Sequence, residues 1–278
     1  MSEHWEDGFD VETERADMRA FLTGVHPGES PHTWIGDVPD HWHDVMFGGC
    51  IIGQSITAFT RDAPAGRRLH SLHGYFLRPT GGGAPIMYDV EPIRDGKAFS
   101  TRRLTASQRG KGVFEAMASF TDDTDGYLYD LPHPSPLPSR DTGEAGYGVG
   151  GFDAVYFGAT DQRGDGTYES TDRKWFRMPS MEPDDDVHVH TAYLGMASDW
   201  TGIGARPLKL NWDNDEYGIA SLDHAVWFHR PPRIDQWLHN DLHALVNFGG
   251  RSQVRMTIRD EQGCVVASMA QELLVRVL

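Results

Sequence analysis

Four strand-forming runs with one apolar face follow one another in the first half of the chain, at 69–77, 86–93, 99–107 and 113–120. They are separated by the turn-forming stretches Pro79-Thr80-Gly81-Gly82-Gly83, Arg94-Asp95-Gly96 and Arg109-Gly110-Lys111-Gly112. Such runs closed by glycine-rich turns predict antiparallel hairpins. Ahead of them, residues 48–59 are apolar on nearly every helical face, the pattern of a helix surrounded by protein rather than lying on a surface. The glycines within it weaken helix propensity and make sense where another backbone, or a ligand, approaches closely. The second half repeats the plan, with a helix at 187–199 and strands at 219–228, 242–247, 253–258 and 264–275. Between the two, 121–151 is rich in Asp, Pro and Gly without a sustained period, and reads as a linker passing over the surface.

The likeness of the halves extends to residues. At an offset of 152, His73-Gly74-Tyr75-Phe76-Leu77-Arg78-Pro79 lines up with Ala225-Val226-Trp227-Phe228-His229-Arg230-Pro231. Val113-Phe114-Glu115-Ala116-Met117-Ala118 lines up with Val265-Val266-Ala267-Ser268-Met269-Ala270, and the turn at Asp95-Gly96 falls opposite the 247–250 turn. Three coincidences at one offset indicate a duplicated domain. The expected divisions are 1–121, a linker at 122–151, and 152–278. A long antiparallel sheet with one apolar face wrapped around a buried helix, present twice, is an α+β architecture. Each helix is expected on the concave face of its own sheet, and joining the copies buries apolar surface that one copy would expose.

Composition narrows the partners. The 278 residues carry a formal net charge of -16, which disfavours wide contact with nucleic acid or an anionic bilayer. A small-molecule substrate is the better reading, and an anionic one needs a local cluster of Arg or Lys. Cys50 and Cys264 are far apart in apolar surroundings and read as small buried hydrophobes, not as a disulfide. The polar, acidic N-terminus and the absence of an eighteen-residue apolar run lead to the expectation of a cytoplasmic protein.

Several blocks together closely resemble the acyl-CoA thioesterase II family. They are Phe47-Gly48-Gly49 with Gly53-Gln54, the run from His70 to Pro79, Arg94-Asp95-Gly96-Lys97-Ala98-Phe99-Ser100-Thr101-Arg102-Arg103, Leu222-Asp223-His224-Ala225-Val226-Trp227-Phe228-His229-Arg230-Pro231, and Ala267-Ser268-Met269-Ala270-Gln271-Glu272. The resemblance covers most of the chain outside the linker and the N-terminal tail. It implies a double hot-dog fold, hydrolysis of fatty acyl-CoA, a homo-oligomer, and no cofactor or metal. It also implies a water activated by an Asp, a Ser or Thr and a Gln of the second domain, which fall at Asp199, Ser221 and Gln271. Thioester hydrolysis needs a base for the water proton and donors that hold the water, and those residue types supply both. Two departures stand out: Ser221 where many relatives have Thr, and Cys50 where a Gln often follows the paired glycines. The 202–218 stretch is particular to this chain and bears on the acyl pocket.

Taken alone, Asp199 reads rather as the cap of the following turn, Ser221 as an ordinary strand hydroxyl and Gln271 as an ordinary exposed amide. The three stand or fall as a set. Asp223-His224, His41-Trp42-His43-Asp44 and His188-Val189-His190 have the look of metal-ligand spacing, yet three or four ligands must converge; His224 is expected on a half-buried strand. Tyr75 and Trp227 read as core, and Arg78 and Arg230 as partners of carboxylates. Two rivals share the fold. An enoyl-CoA hydratase or dehydratase would show an Asp followed five residues later by His, where Asp199 is followed by Gly204; a non-catalytic acyl-CoA-binding protein would retain only the pocket.

Overall fold

The computed structural model describes residues 10–39, 45–122, 126–133, 136–157, 160–162, 168–200 and 217–277. The first half contains α1 (Val11–Thr23), β1 (Val25–Pro27), β2 (Thr33–Gly36), α2 (Gly48–Asp62), β3 (Arg68–Phe76), β4 (Ile86–Asp95), β5 (Phe99–Gln108) and β6 (Lys111–Thr121). In the second are β7 (Glu144–Tyr147), β8 (Asp153–Phe157), β9 (Thr160–Gln162), β10 (Tyr168–Arg177), α3 (Val187–Ser198), β11 (Tyr217–Ser221), β12 (Asp223–Phe228), β13 (Leu238–Phe248), β14 (Arg251–Arg259) and β15 (Val265–Val277). The expected central helices and main strands are all present. β7 and two short 3-10 turns lie inside the stretch read as linker, and the single strand expected at 219–228 is broken at Leu222. α1 was not foreseen; Asp10 caps it by accepting from the Glu12 N–H, and its Met18, Phe21 and Leu22 are buried.

All the strands join one antiparallel sheet in the order β1-β2-β4-β5-β6-β3-β12-β15-β14-β13-β10-β8-β7, with β11 on β15 and β9 on β10. The inner order β2-β4-β5-β6-β3 of the first half is matched by β10-β13-β14-β15-β12 in the second. Irregularities match as well. Register shifts at Pro92/Arg94 and Ala106/Ser107 recur at Ala244/Val246 and Ile258/Arg259, and the shift at Leu69/Ser71 corresponds to the break at Leu222. Bulges re-aim side chains, so two sheets that share them present the same positions to their cores. This is the double hot-dog architecture.

The halves meet where β3 and β12 pair, with His73 opposite Ala225. These two occupy the same position of the repeat, so the local two-fold axis relating the halves passes between them. The ladders also correct one alignment. Met117 lies opposite His73 and Ala270 opposite Ala225, so β6 and β15 correspond at an offset of 153, not 152. The cause is the turn between Arg259 and Val265, one residue longer than that between Ser107 and Gly112.

Inside the sheet, α2 and α3 pack against each other as well as against strands. Ile51, Ile52, Ile56 and Phe59 of α2 and Tyr193, Leu194 and Met196 of α3 are buried. The close approach expected of the α2 glycines is to backbone: a Cβ at Gly53 would lie 2.9 Å from the Ala192 carbonyl oxygen and 2.6 Å from Leu22 Cδ2. Alternation along β3 and β12 turns Leu72, His224 and Val226 inward, and leaves Tyr75 64% exposed and Trp227 half-buried on the outer face. Neither aromatic is core, because both sit on the odd side of the pleat.

Candidate active site

Asp199 follows the last residue of α3 as its C-cap (φ -84°, ψ 0°) and is 4% exposed. The turn that carries it ends the helix inside the protein, directly against the start of α2. Ser221, the last residue of β11, donates its Oγ–H to Asp199 Oδ1 at 3.2 Å. Gln271 of β15 donates through Nε2 to the same oxygen at 2.5 Å. From the other half of the molecule, the Gly49 N–H donates to the carboxylate. A Cβ at Gly48 would lie 2.6 Å from Asp199 Oδ2, so only glycine lets the carboxylate reach the end of the helix. Phe47, the N-cap of α2, supplies no side-chain bond; Asp199 satisfies an orphan N–H there and meets the positive end of the helix.

The electrostatics follow from burial. Removing Asp199 from water raises its pKa to about 7, and the bonds from Gln271, Ser221 and Gly49 pull it back only in part. His224, inward on β12 and fully buried, is driven down to about 3 by the same desolvation, which the neighbouring Gln271 amide opposes only in part. It is therefore neutral, although its Nδ1 lies 3.8 Å from Asp199 Oδ1. Ser198 Oγ donates to the Gly195 carbonyl at 2.7 Å, which obliges it to accept from His224 Nε2–H at 2.9 Å. That assignment leaves Nδ1 an unprotonated acceptor facing the site. Sequence reasoning expected a half-buried His224 and passed it over; the available signal was strand alternation beside Asp223, whose carboxylate accepts from the Glu272 N–H at the β11–β12 break.

At the positions of the first half that match the three polar side chains stand apolar residues. Ser221 opposite Leu273 corresponds to Leu69 opposite Phe120, and the ladders set Gln271 and His224 in correspondence with Ala118 and Leu72. All of these first-half residues are buried. The hydroxyl, amide and imidazole of the second half have no counterparts at these positions; beside Ala118 the first half instead carries a buried ion pair of Arg102 with Asp62 at 3.0 Å.

The structure brings Asp199, Ser221 and Gln271 together around one buried carboxylate oxygen. Other expectations fare unevenly. Arg230 pairs with Asp130, at 3.0 and 2.7 Å, but Arg78 donates to the Gly112 carbonyl and, among the described residues, meets no carboxylate. Cys50 is buried and its thiol pushed well up, whereas Cys264 is half-buried. His190 Nδ1 accepts from the Ile234 N–H at 3.2 Å. The 41–44 histidine pair lies outside the described residues, as does all but the last two residues of the 202–218 stretch.

A carboxylate poised near neutrality, with a hydroxyl, an amide and a helix N-terminus around it, is equipped to take a proton from water and to support a developing oxyanion. Comparison with known proteins points the same way. Residues 38–121 match the acyl-CoA thioesterase N-terminal domain and residues 130–275 the acyl-CoA thioesterase C-terminal domain. The chain is 28% identical to acyl-CoA thioesterase 2 of Haemophilus influenzae, over 87% of this chain and 91% of that one. To human acyl-coenzyme A thioesterase 8 it is 26% identical, over 84% and 81%. Among solved structures it is similar to the acyl-CoA thioesterase II TesB2 of Mycobacterium marinum, with a TM-score of 0.76 and 29% identity over 94% of this chain and 97% of that one.

Proposed function

Because the chain belongs to the acyl-CoA thioesterase family, its reaction is the hydrolysis of an acyl-CoA thioester, and we propose that Asp199, Ser221 and Gln271 carry it out. The observation that supports this assignment is the convergence of both donors on Asp199 Oδ1. Asp199 takes a proton from water as the oxygen adds to the thioester carbonyl carbon. The tetrahedral intermediate then expels the CoA sulfur, which recovers that proton, so that water and acyl-CoA become carboxylic acid and free thiol. Ser221 and Gln271 hold the carboxylate and the water in register, and the start of α2 stabilises negative charge on the oxyanion.

In the same reading the acyl group is a fatty one, and the protein acts in the cytoplasm as a homo-oligomer without nucleic-acid or membrane partners. No described helix is long and apolar enough to cross a membrane. An enoyl hydratase and a silent acyl-CoA binder are the alternatives, which neither the family nor the residues favour.

Release of CoA thiol from a saturated acyl-CoA tests the site. Asp199→Asn preserves shape and removes the base, and turnover should fall by roughly two to four orders of magnitude, the range for general-base loss. Ser221→Ala and Gln271→Ala should each do less, and their effects should not add. Near-normal hydrolysis by a folded Asp199→Asn would falsify the assignment, and hydration of an enoyl-CoA without thiol release would favour the rival enzyme.

A further inference from the structure

Two arms of the sheet are equivalent by the repeat and opposite in charge. In the first half, the 77–85 loop that leaves β3 is stitched to the β5–β6 turn. Buried Gln108 accepts from the Gly81 N–H at 3.1 Å and donates to the Gly81 and Ala84 carbonyls at 2.7 and 2.8 Å. Arg109 donates to the Gly82 carbonyl, and Arg78 to that of Gly112, each at 2.6 Å. Both guanidiniums stay exposed, as does Lys111. Among the described residues, no carboxylate pairs with any of the three.

In the second half, Arg230 holds the repeat position of Arg78 and is neutralised by Asp130. Arg259 donates to the Leu131 carbonyl at 2.9 Å, so the segment around Asp130 straps this arm, and its turn carries Asp260 and Glu261 in place of the basic pair. An arginine that binds the chain's own carboxylate on one side of the axis faces solvent on the other.

The basic arm borders the site that holds Asp199. Phe76, at its root, lies 3.2 Å from the position of a Cβ at Gly48, the point 2.6 Å from Asp199 Oδ2. Further along, the Thr80 carbonyl accepts from the Met46 N–H at 2.7 Å, two residues ahead of α2. The chain as a whole has 25 basic against 41 acidic side chains and repels a polyanion, so a positive lip at this one mouth gives a phosphorylated substrate a place to land. In a CoA thioester an uncharged arm separates the reacting carbonyl from the phosphates, which puts its anionic end at the rim and not beside the carboxylate. Guanidinium forks fixed at one N–H, with the remaining donors outward, suit phosphate oxygens.

We propose that Arg78, Arg109 and Lys111 form the binding site for the phosphate-bearing end of the CoA thioester, and that Asp130 denies the equivalent arm that role. This rests on the reading of Asp199 as the centre of hydrolysis. The test compares an acyl-CoA with the same acyl group on pantetheine, which lacks the nucleotide and its phosphates, in the full chain. Arg109→Glu and Lys111→Glu, both at exposed positions, should raise KM for the CoA ester about tenfold or more, the loss expected of a charge-assisted bond. They should leave kcat and the pantetheine ester unchanged and flatten the salt dependence of kcat/KM. Lys111→Glu disturbs none of the stitching and guards against a folding artefact. Calorimetry of free CoA on the same variants should show the same weakening, with pantetheine indifferent. Equal KM values for wild type and variants, or an equal rise for both esters, would overturn the proposal. An active Asp199→Asn would instead sink the catalytic assignment, and the calorimetry would still read the arm.

Discussion

In the proposed mechanism one side chain, Asp199, ties activity and stability to pH with opposite signs. A base with a pKa of about 7 should give a kcat/KM that climbs as pH rises through that value, and a pH–rate profile of Asp199→Asn should lack this limb. The folded carboxyl holds its proton more tightly than an unfolded one near 3.8. Folding therefore takes up a proton between these values, and stability falls as pH rises across them, fully so above about 7. Asp199→Asn should accordingly melt above wild type at pH 8, by a margin that shrinks at pH 5; scanning calorimetry at the two values decides it. Residue types alone could not reveal this. The three residues were found through family likeness, because they lie on three separate elements and meet only in the fold. His224 escaped for a related reason: a histidine in a strand announces neither its burial nor its tautomer, which come from Ser198 one element away.

The elements most legible in the sequence were those with local rules. The α2 and α3 helices and the eight strands around them were marked by apolar runs and by Gly-rich turns, although the 219–228 run splits where Asp223 caps the break. α1, β1, β2 and β7 to β10 went unread. β1, β2, β7 and β9 are three or four residues long, too short to show a period, and they owe their existence to a sheet edge already in place. The helix crossing gives an element-scale prediction. Gly53→Ala puts a methyl group against the Ala192 carbonyl and Leu22, and overpacking of this kind typically destabilises by ~1–3 kcal/mol. Because α3 must shift to admit it, and Asp199 ends α3, kcat should fall along with the midpoint of urea unfolding. A variant with lowered stability and unchanged kcat would show that the crossing and the carboxylate are mechanically separate.

For the whole molecule, the β3–β12 ladder makes one sheet of two, and the α2–α3 contact makes one interior. Urea unfolding followed by far-UV circular dichroism and by tryptophan fluorescence should give one coincident transition; two resolved steps would mean that the ladder joins halves that fold independently. The duplicated plan was legible from the repeat. Its single-residue slip between β6 and β15 was not, since one extra turn residue leaves both hairpins intact and shifts only the comparison between them. The local axis between His73 and Ala225 has a further meaning. In a symmetric pair of identical chains, every substitution is made twice, and a change that improves one mouth spoils or copies itself in the other. Here each position is inherited singly. Leu69, Leu72 and Ala118 on one side, Ser221, His224 and Gln271 on the other, are what that independence permits: each half of the repeat can acquire its own part of one site without copying it into the other.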